Sequence, residues 1–281
     1  MGLLMTSIIA MLIAILGPVA HSFTPPVLRR RQGVVRELVE TDMAGNQWDH
    51  DNHDEDDTSN ARSVFGTKDY WDELYLGRGD FPADEYTWYF GWDTYQKIVQ
   101  EHVPNRQACI LLPGIGNDPI LLDLLQKGYD NLTATDYSEH AIARQRDLLS
   151  YQYSWDEDDD MDGSSGGGTT ISTTSDGKVQ LKCMDARKME KTWTNRFDAV
   201  LEKGALDAIY LSGDGNLEAT AQELKRVLKP GGILISISGV VPEELRRQVF
   251  GGDEDDDSWE WLRDGSKDLK AGCFVLKNNK L

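Results

Sequence analysis

Cysteine is scarce in this 281-residue sequence: there are three, Cys109, Cys183 and Cys273, far apart and without a CxxC pair. Each sits in or beside an apolar run with strand character, which predicts small buried core residues rather than metal ligands. Five histidines form no ligand-spaced group either, and His50 and His53 fall inside an acidic tract, so no metal site is expected. Basic charge is also short, with 29 Lys and Arg against 48 Asp and Glu and a net charge of -19. A chain of that sign is poorly equipped to neutralise phosphates, which argues against nucleic acid and in favour of a basic protein as partner.

Long apolar runs are missing except for Leu3 to Val19. That run ends at Ala20 and Ser22, small residues at signal-peptidase spacing, so residues 1–22 are read as a cleaved signal peptide that leaves the mature chain without a membrane segment. An uncleaved anchor helix is one alternative, because the run is just long enough to span a bilayer. Phe23 and the basic stretch with Arg29, Arg30, Arg31 and Arg36 resemble the two-part presequences of algae with complex plastids, which implies entry to the secretory pathway and a plastid address. A cytoplasmic protein is the other alternative. Residues 23–62 are basic and then acidic, with no apolar periodicity from Glu40 to Arg62, and are expected to be disordered. The acidic runs Asp49 to Asp57, Asp156 to Asp160 and Asp253 to Asp257 read as solvated loops.

What is present is concentrated in one stretch, Ile110 to Ser138: an apolar strand, a glycine turn, a helix, a second strand and an acidic residue. Gly114 and Gly116 lack a Cβ, so the backbone can bend after the strand and approach a ligand closely. A dinucleotide site needs a third glycine beside the pyrophosphate, yet Asn117, Asp118 and Pro119 follow Gly116. Asn117 or Asp118 can cap the next helix with Pro119 in its first turn, and acidic residues there suit a cationic ligand better than a phosphate. S-adenosylmethionine, a nucleoside with a sulfonium and an amino group, meets that condition, and Asp136 at the end of the second strand is placed to accept hydrogen bonds from its ribose.

One folded domain is expected over residues 63–281. Strands are predicted at Cys109 to Leu112, Leu132 to Thr135, Val179 to Met184, Phe197 to Leu201 and Ile233 to Ser238. Helices are predicted up to Lys127, from Ser138 to about Tyr151, at Leu217 to Leu228 and at Glu243 to Val249. The Asp, Gly, Ser and Thr-rich insertion at about 154–178 has no core-forming residues and is expected as a floppy loop. Two apolar segments, Trp259 to Leu262 and Cys273 to Leu276, read as an antiparallel hairpin. Alternating strands and helices predict an α/β, Rossmann-like, seven-stranded, mostly parallel sheet with a reversed strand at its edge and helices on both faces.

In order along the chain stand YWDELY, LLPGIGN, TDYS, KCMDARKM, FDAVLEKGALDAI and RVLKPGGILISIS. With these strings the chain resembles class I S-adenosylmethionine-dependent methyltransferases, and through LEKGALDA it is similar to the methyltransferase-like 13 and elongation factor 1-alpha lysine methyltransferase group. The resemblance covers about Lys68 to Ser238. It implies that Gly114 and Gly116 line the methionine and ribose, that Asp136 holds the ribose with Tyr137 beside the adenine, and that Asp185 and Ala186 meet the adenine edge. It implies too that Trp71, Tyr75 and Trp88 cover the cofactor and that Lys203 lies near the methyl donor. Glu202 and Asp207 are then expected at an acidic mouth that draws in a lysine-bearing protein and assists its deprotonation. The Asn or Asp, Pro, Pro, aromatic string of base methylation is missing after the strand ending at Leu201, and Pro113 and Asp118 depart from the family's turn. A small plastid metabolite as acceptor, or a non-catalytic cofactor-binding scaffold, stand as alternatives, and the oligomeric state is left open.

Overall fold

The computed structural model describes residues 64–78, 88–150, 168–172, 178–213, 215–251, 258–268 and 271–279. All belong to the compact unit Arg31–Leu281. The expected signal peptide, the presequence and linker with His50 and His53, most of the insertion and the run at 253–257 lie outside the described residues. Among those residues no helix is long and apolar enough to cross a membrane.

The expected mostly parallel sheet is present and larger by a strand. Strands β1 (Ile110–Pro113), β2 (Asn131–Asp136), β3 (Gly168–Ser172), β4 (Lys178–Cys183), β5 (Phe197–Lys203), β6 (Leu228–Ser238), β7 (Trp259–Arg263) and β8 (Gly272–Asn278) run in the order β3-β4-β2-β1-β5-β6-β8-β7. The extra strand is β3, which forms within the segment expected as a loop and pairs antiparallel with β4. Its run Gly168-Thr-Thr-Ile-Ser172 carries the β-branched residues that a strand favours, which composition averaged over the insertion concealed. The reversed strand of the C-terminal hairpin is β8, and it inserts between β6 and β7 instead of lying at the edge. Lys229–Gly232, left between the helix predicted to end at Leu228 and the strand predicted from Ile233, is absorbed into β6, whose register with β5 shifts there.

Helices α1 (Lys68–Tyr75), α2 (Trp92–His102), α3 (Ile120–Gln126), α4 (Glu139–Ser150), α5 (Ala205–Leu211), α6 (Asn216–Val227) and α7 (Glu243–Val249) cover the sheet. Every residue of β1 is buried, as a parallel strand between two helical layers requires. Successive strand residues feed opposite faces. Ile110, Leu112, Leu201 and Ile237 pack with Trp92, Tyr95 and Val99 of α2, while Leu111, Val200 and Leu234 pack with Leu206, Leu217 and Leu224 of α5 and α6. A third, aromatic cluster of Phe65, Trp71, Leu74, Tyr75 and Trp88 sits apart from these two.

The three cysteines differ in a way the sequence did not separate: Cys273 is buried, Cys109 is intermediate and Cys183 is exposed. Cys183 is the last residue of β4, where the strand leaves the sheet.

Candidate active site

A cavity of about 270 Å³ is lined by the glycine turn after β1, by Asp136 and Tyr137 after β2, by residues 184–187 after β4 and by Lys203 and Gly204 where β5 gives way to α5. This is where an open α/β sheet places its ligands, at the carboxyl ends of its strands. Gly114 and Gly116 both hold left-handed backbone, with φ of 61° and 53°. A Cβ at Gly114 would stand 2.6 Å from the Ala205 Cβ, and one at Gly116 would stand 2.6 Å from the Tyr75 hydroxyl. The glycines are therefore required by what packs on the turn as well as by the bend itself. Buried Gln145 of α4 fastens the turn, its Nε2 donating to the carbonyls of Gly116 at 2.8 Å and Asp118 at 2.9 Å. Sequence reading missed Gln145; its signal is a polar side chain at a helical position that periodicity assigns to the core. Asp118 accepts the Ile120 N–H at 3.0 Å, but it stands one residue outside the expected capping position: Pro119 is the N-cap of α3 and not part of its first turn.

Asp136 is 4% exposed, and its two carboxylate oxygens accept the N–H groups of Gly116 and Ser138, each at 2.9 Å. Burial pushes its carboxyl up to about 6, against the pull of those two donors. A carboxylate has about four acceptor positions, so two remain for a ligand's hydroxyls. Beyond it, Asp185 is gripped by Arg187, with Nε to Oδ1 at 2.9 Å and Nη2 to Oδ2 at 2.6 Å, and it also accepts the Arg187 N–H at 2.9 Å. Burial raises the Asp185 carboxyl, but the guanidinium and the N–H outweigh it and hold it below the usual range. Asp185 thus caps its turn and lines the cavity at once. Met184 and Arg187 are lining residues that sequence reading did not single out.

Aromatic rings form the opposite wall. Trp71 stacks on Tyr75 with ring centres 6.0 Å apart and lies 5.8 Å from Trp88, and its indole N–H donates to the Phe65 carbonyl at 2.7 Å. Trp88 rests on Gly204, where an added Cβ would come within 2.8 Å of the indole. That contact and the neighbouring Trp71 ring fix Trp88 in this wall.

All ten residues expected around the cofactor, Trp71, Tyr75, Trp88, Gly114, Gly116, Asp136, Tyr137, Asp185, Ala186 and Lys203, line this one cavity. The expected acidic mouth is not formed. Glu202 and Asp207 are 1% and 0% exposed, and neither lines the cavity. Neighbours on a strand face opposite ways, so Lys203 follows Leu201 toward the α2 side, while Glu202 follows Val200 beneath α5 and accepts from the Ser236 hydroxyl and the Leu206 N–H. Asp207, in the first turn of α5, points into the same layer and accepts from the Ser238 hydroxyl at 2.5 Å and from the N–H groups of Val240 and Val241 at 3.0 and 2.9 Å. Lys203 itself is 6% exposed and pairs with Asp118.

Burial pushes the Glu202 carboxyl up to about 8, so it carries a proton at neutral pH. A raised carboxyl gives stability that is complete below its ordinary value near 4.5 and lost as pH rises through about 8. Glu202→Gln reproduces the protonated acid, with an oxygen for Leu206 and donors for Ser236. It is expected to leave the melting temperature unchanged near pH 4.5 and to raise it by several degrees near pH 8.5. Thermal melts across that range check this, and a constant difference at all pH values would rule it out.

The residues fit S-adenosylmethionine: two glycines clear room for it, Asp136 keeps acceptor positions beside the turn, and aromatic faces with Asp118 nearby suit a sulfonium and an ammonium group. The family model described as a methyltransferase domain matches residues 111–236. EEF1A lysine methyltransferase 2 of Homo sapiens is 29% identical over 202 residues, 68% of this chain and 76% of that protein. Protein-lysine N-methyltransferase EFM4 of Saccharomyces cerevisiae is 29% identical over 206 residues, covering 66% of this chain and 80% of that protein. The solved structure described as conversion of a disulfide bond into a thioacetal group during echinomycin biosynthesis has a TM-score of 0.51 at 18% identity, over 76% of this chain and 93% of that one, a likeness of fold alone. Taken with the sheet order and the cavity at its strand ends, these matches identify the chain as a class I S-adenosylmethionine-dependent methyltransferase, similar to the elongation factor 1-alpha lysine methyltransferases.

Proposed function

We propose that the chain methylates a lysine side chain of a protein, with an elongation factor 1A as the first acceptor to test. The observation that carries this reading is the aromatic wall of Trp71, Tyr75 and Trp88 along the cavity that Lys203 and Gly204 also line. The names of the relatives, which specify protein lysine, support it. S-adenosylmethionine, when bound, supplies a methyl group on a sulfonium that leaves as a neutral thioether. Asp136 would hold the ribose, Tyr137 would lie beside the base with Asp185 and Ala186 at its edge, and the glycine turn would carry the methionine end.

The rings do the remaining work. Aromatic faces accept a lysine stem and favour its entry as a cation, after which loss of water around the amine favours the neutral form. The amine would lose its proton to solvent, and its free electron pair would then take the methyl group as the thioether departs. With Glu202 and Asp207 buried, the reaction needs alignment and desolvation rather than a carboxylate base. The charge of -19 favours encounter with a basic substrate surface.

Incubating the full chain with methyl-labelled S-adenosylmethionine and elongation factor 1A, or a whole protein extract, should place label on protein as methyl-lysine, and an Asp136→Ala chain should not. Label recovered only in small molecules would sink the lysine reading in favour of a metabolite acceptor. Cofactor binding without transfer to either fraction would point to a binding role.

A further inference from the structure

The segment Trp88–Phe90 is held against the cavity by residues from the EKGALD stretch. Lys203 Nζ donates to the carbonyls of Trp88 at 2.8 Å and Phe90 at 3.3 Å, while its ion pair with Asp118 ties the same ammonium to the glycine turn. One residue on, Gly204 provides the flat seat for the Trp88 indole. Three residues further, Asp207 accepts from the Tyr89 hydroxyl at 2.6 Å, and that hydroxyl accepts the Gly239 N–H at 3.0 Å. Tyr89 has a φ of 59°, left-handed backbone that a residue with a side chain adopts at a cost. Such a conformation persists only where neighbouring contacts impose it, and here the contacts are the Lys203 bonds on either side and the Asp207 bond at the ring's tip.

We propose that Tyr89 and Asp207 form a latch that keeps Trp88 over the bound cofactor and so sets how long the cofactor stays. Both act as positioning residues, through Trp88. Asp207 is 0% exposed and does not line the cavity, so it cannot touch the ligand. Its other acceptor positions are filled by the Ser238 hydroxyl and the N–H groups of residues 239–241, which fix the carboxylate in the layer beneath α5. Buried Arg246 reinforces that layer by donating to the Ser238 hydroxyl at 2.8 Å and to the Val241 carbonyl at 3.0 Å. The Tyr89 phenol is held above its ordinary range by burial first and by Asp207 second, so it remains the donor in this bond across neutral pH. The arrangement gives the EKGALD stretch one physical task, which is to anchor an aromatic segment that lies 113 to 118 positions earlier in the chain.

The latch rests on the methyltransferase assignment and not on the acceptor. Its test therefore reads cofactor release alone. Full chains carrying Tyr89→Phe, Trp88→Ala and both changes are loaded with labelled S-adenosylmethionine and chased with unlabelled cofactor. Loss of a hydrogen bond to a charged group predicts about tenfold faster release from Tyr89→Phe. The pair of changes should release no faster than Trp88→Ala alone, because residues acting through one another are not additive. Wild-type release from Tyr89→Phe would overturn the latch, and so would effects that multiply in the double variant. Should Tyr89→Phe fold poorly in thermal melts, Asp207→Asn interrupts the same contact from the other side and carries the same expectation. A wild-type chain that binds no cofactor would instead overturn the methyltransferase assignment itself.

Discussion

Replacing Asp136 by alanine is expected to weaken S-adenosylmethionine binding at least about 100-fold while the sheet stays folded. Two losses combine. The ribose loses its acceptor, and the N–H groups of Gly116 and Ser138, each 2.9 Å from the carboxylate, lose theirs. A buried donor left without a partner costs about 1–3 kcal/mol, so the glycine turn moves to find one and the binding surface moves with it. Asp136→Asn keeps an acceptor oxygen and should retain more of the fold's stability while losing much of the affinity. The wild-type carboxyl sits at about 6 because of burial, and ribose hydroxyls need its ionised form. Affinity should therefore fall as pH drops through that value, by about tenfold per unit below it, whereas Asp136→Asn should show no such slope. Calorimetric titration between pH 5 and pH 8 decides the matter: unchanged affinity in Asp136→Ala, or a flat wild-type profile, would remove Asp136 from the site.

Gly204→Ala is expected to cost a few degrees of melting temperature and at least about tenfold in cofactor affinity. The residue caps α5 with φ at 77°, where a side chain costs about 1–2 kcal/mol. Its new Cβ would also stand 2.8 to 3.0 Å from three atoms of the Trp88 indole, closer than a ring can tolerate without shifting. Gly215→Ala separates the two effects. Gly215 caps α6 with φ at 65°, yet the nearest atom to an added Cβ is a Glu218 carboxylate oxygen at 3.7 Å. That variant should lose similar stability and bind normally. Equal binding by both variants would show that the ring's seat on Gly204 does not matter to the cofactor.

The strand, glycine turn, helix, strand and acidic residue from Ile110 to Asp136 were legible because each signal is local. Apolar runs of strand length, two glycines at a bend and an aspartate at a strand end are properties of short stretches, and parallel pairing of β1 with β2 follows from the helix between them. The LEKGALDA string was equally legible as a mark of the group. Its chemistry was not, since placing Glu202 and Asp207 at an acidic mouth beside Lys203 ignores that a strand turns neighbouring side chains to opposite faces. Strand alternation was available in the sequence, but which face is roofed by α5 was not.

The sequence by itself determined the fold class, the cofactor and the residues that line the cavity, because these are marked by short strings of at most about 30 residues. Tertiary structure alone decided the rest: that β3 joins the edge of the sheet, that Gln145 buttons the glycine turn from α4, that Lys203 joins Asp118 to the carbonyls of Trp88 and Phe90, and that Asp207 meets Tyr89. The Lys203 and Asp207 contacts link positions far apart in the chain, and a buried polar group such as Gln145 takes whichever partner the packing of whole elements delivers to it, which no local pattern records.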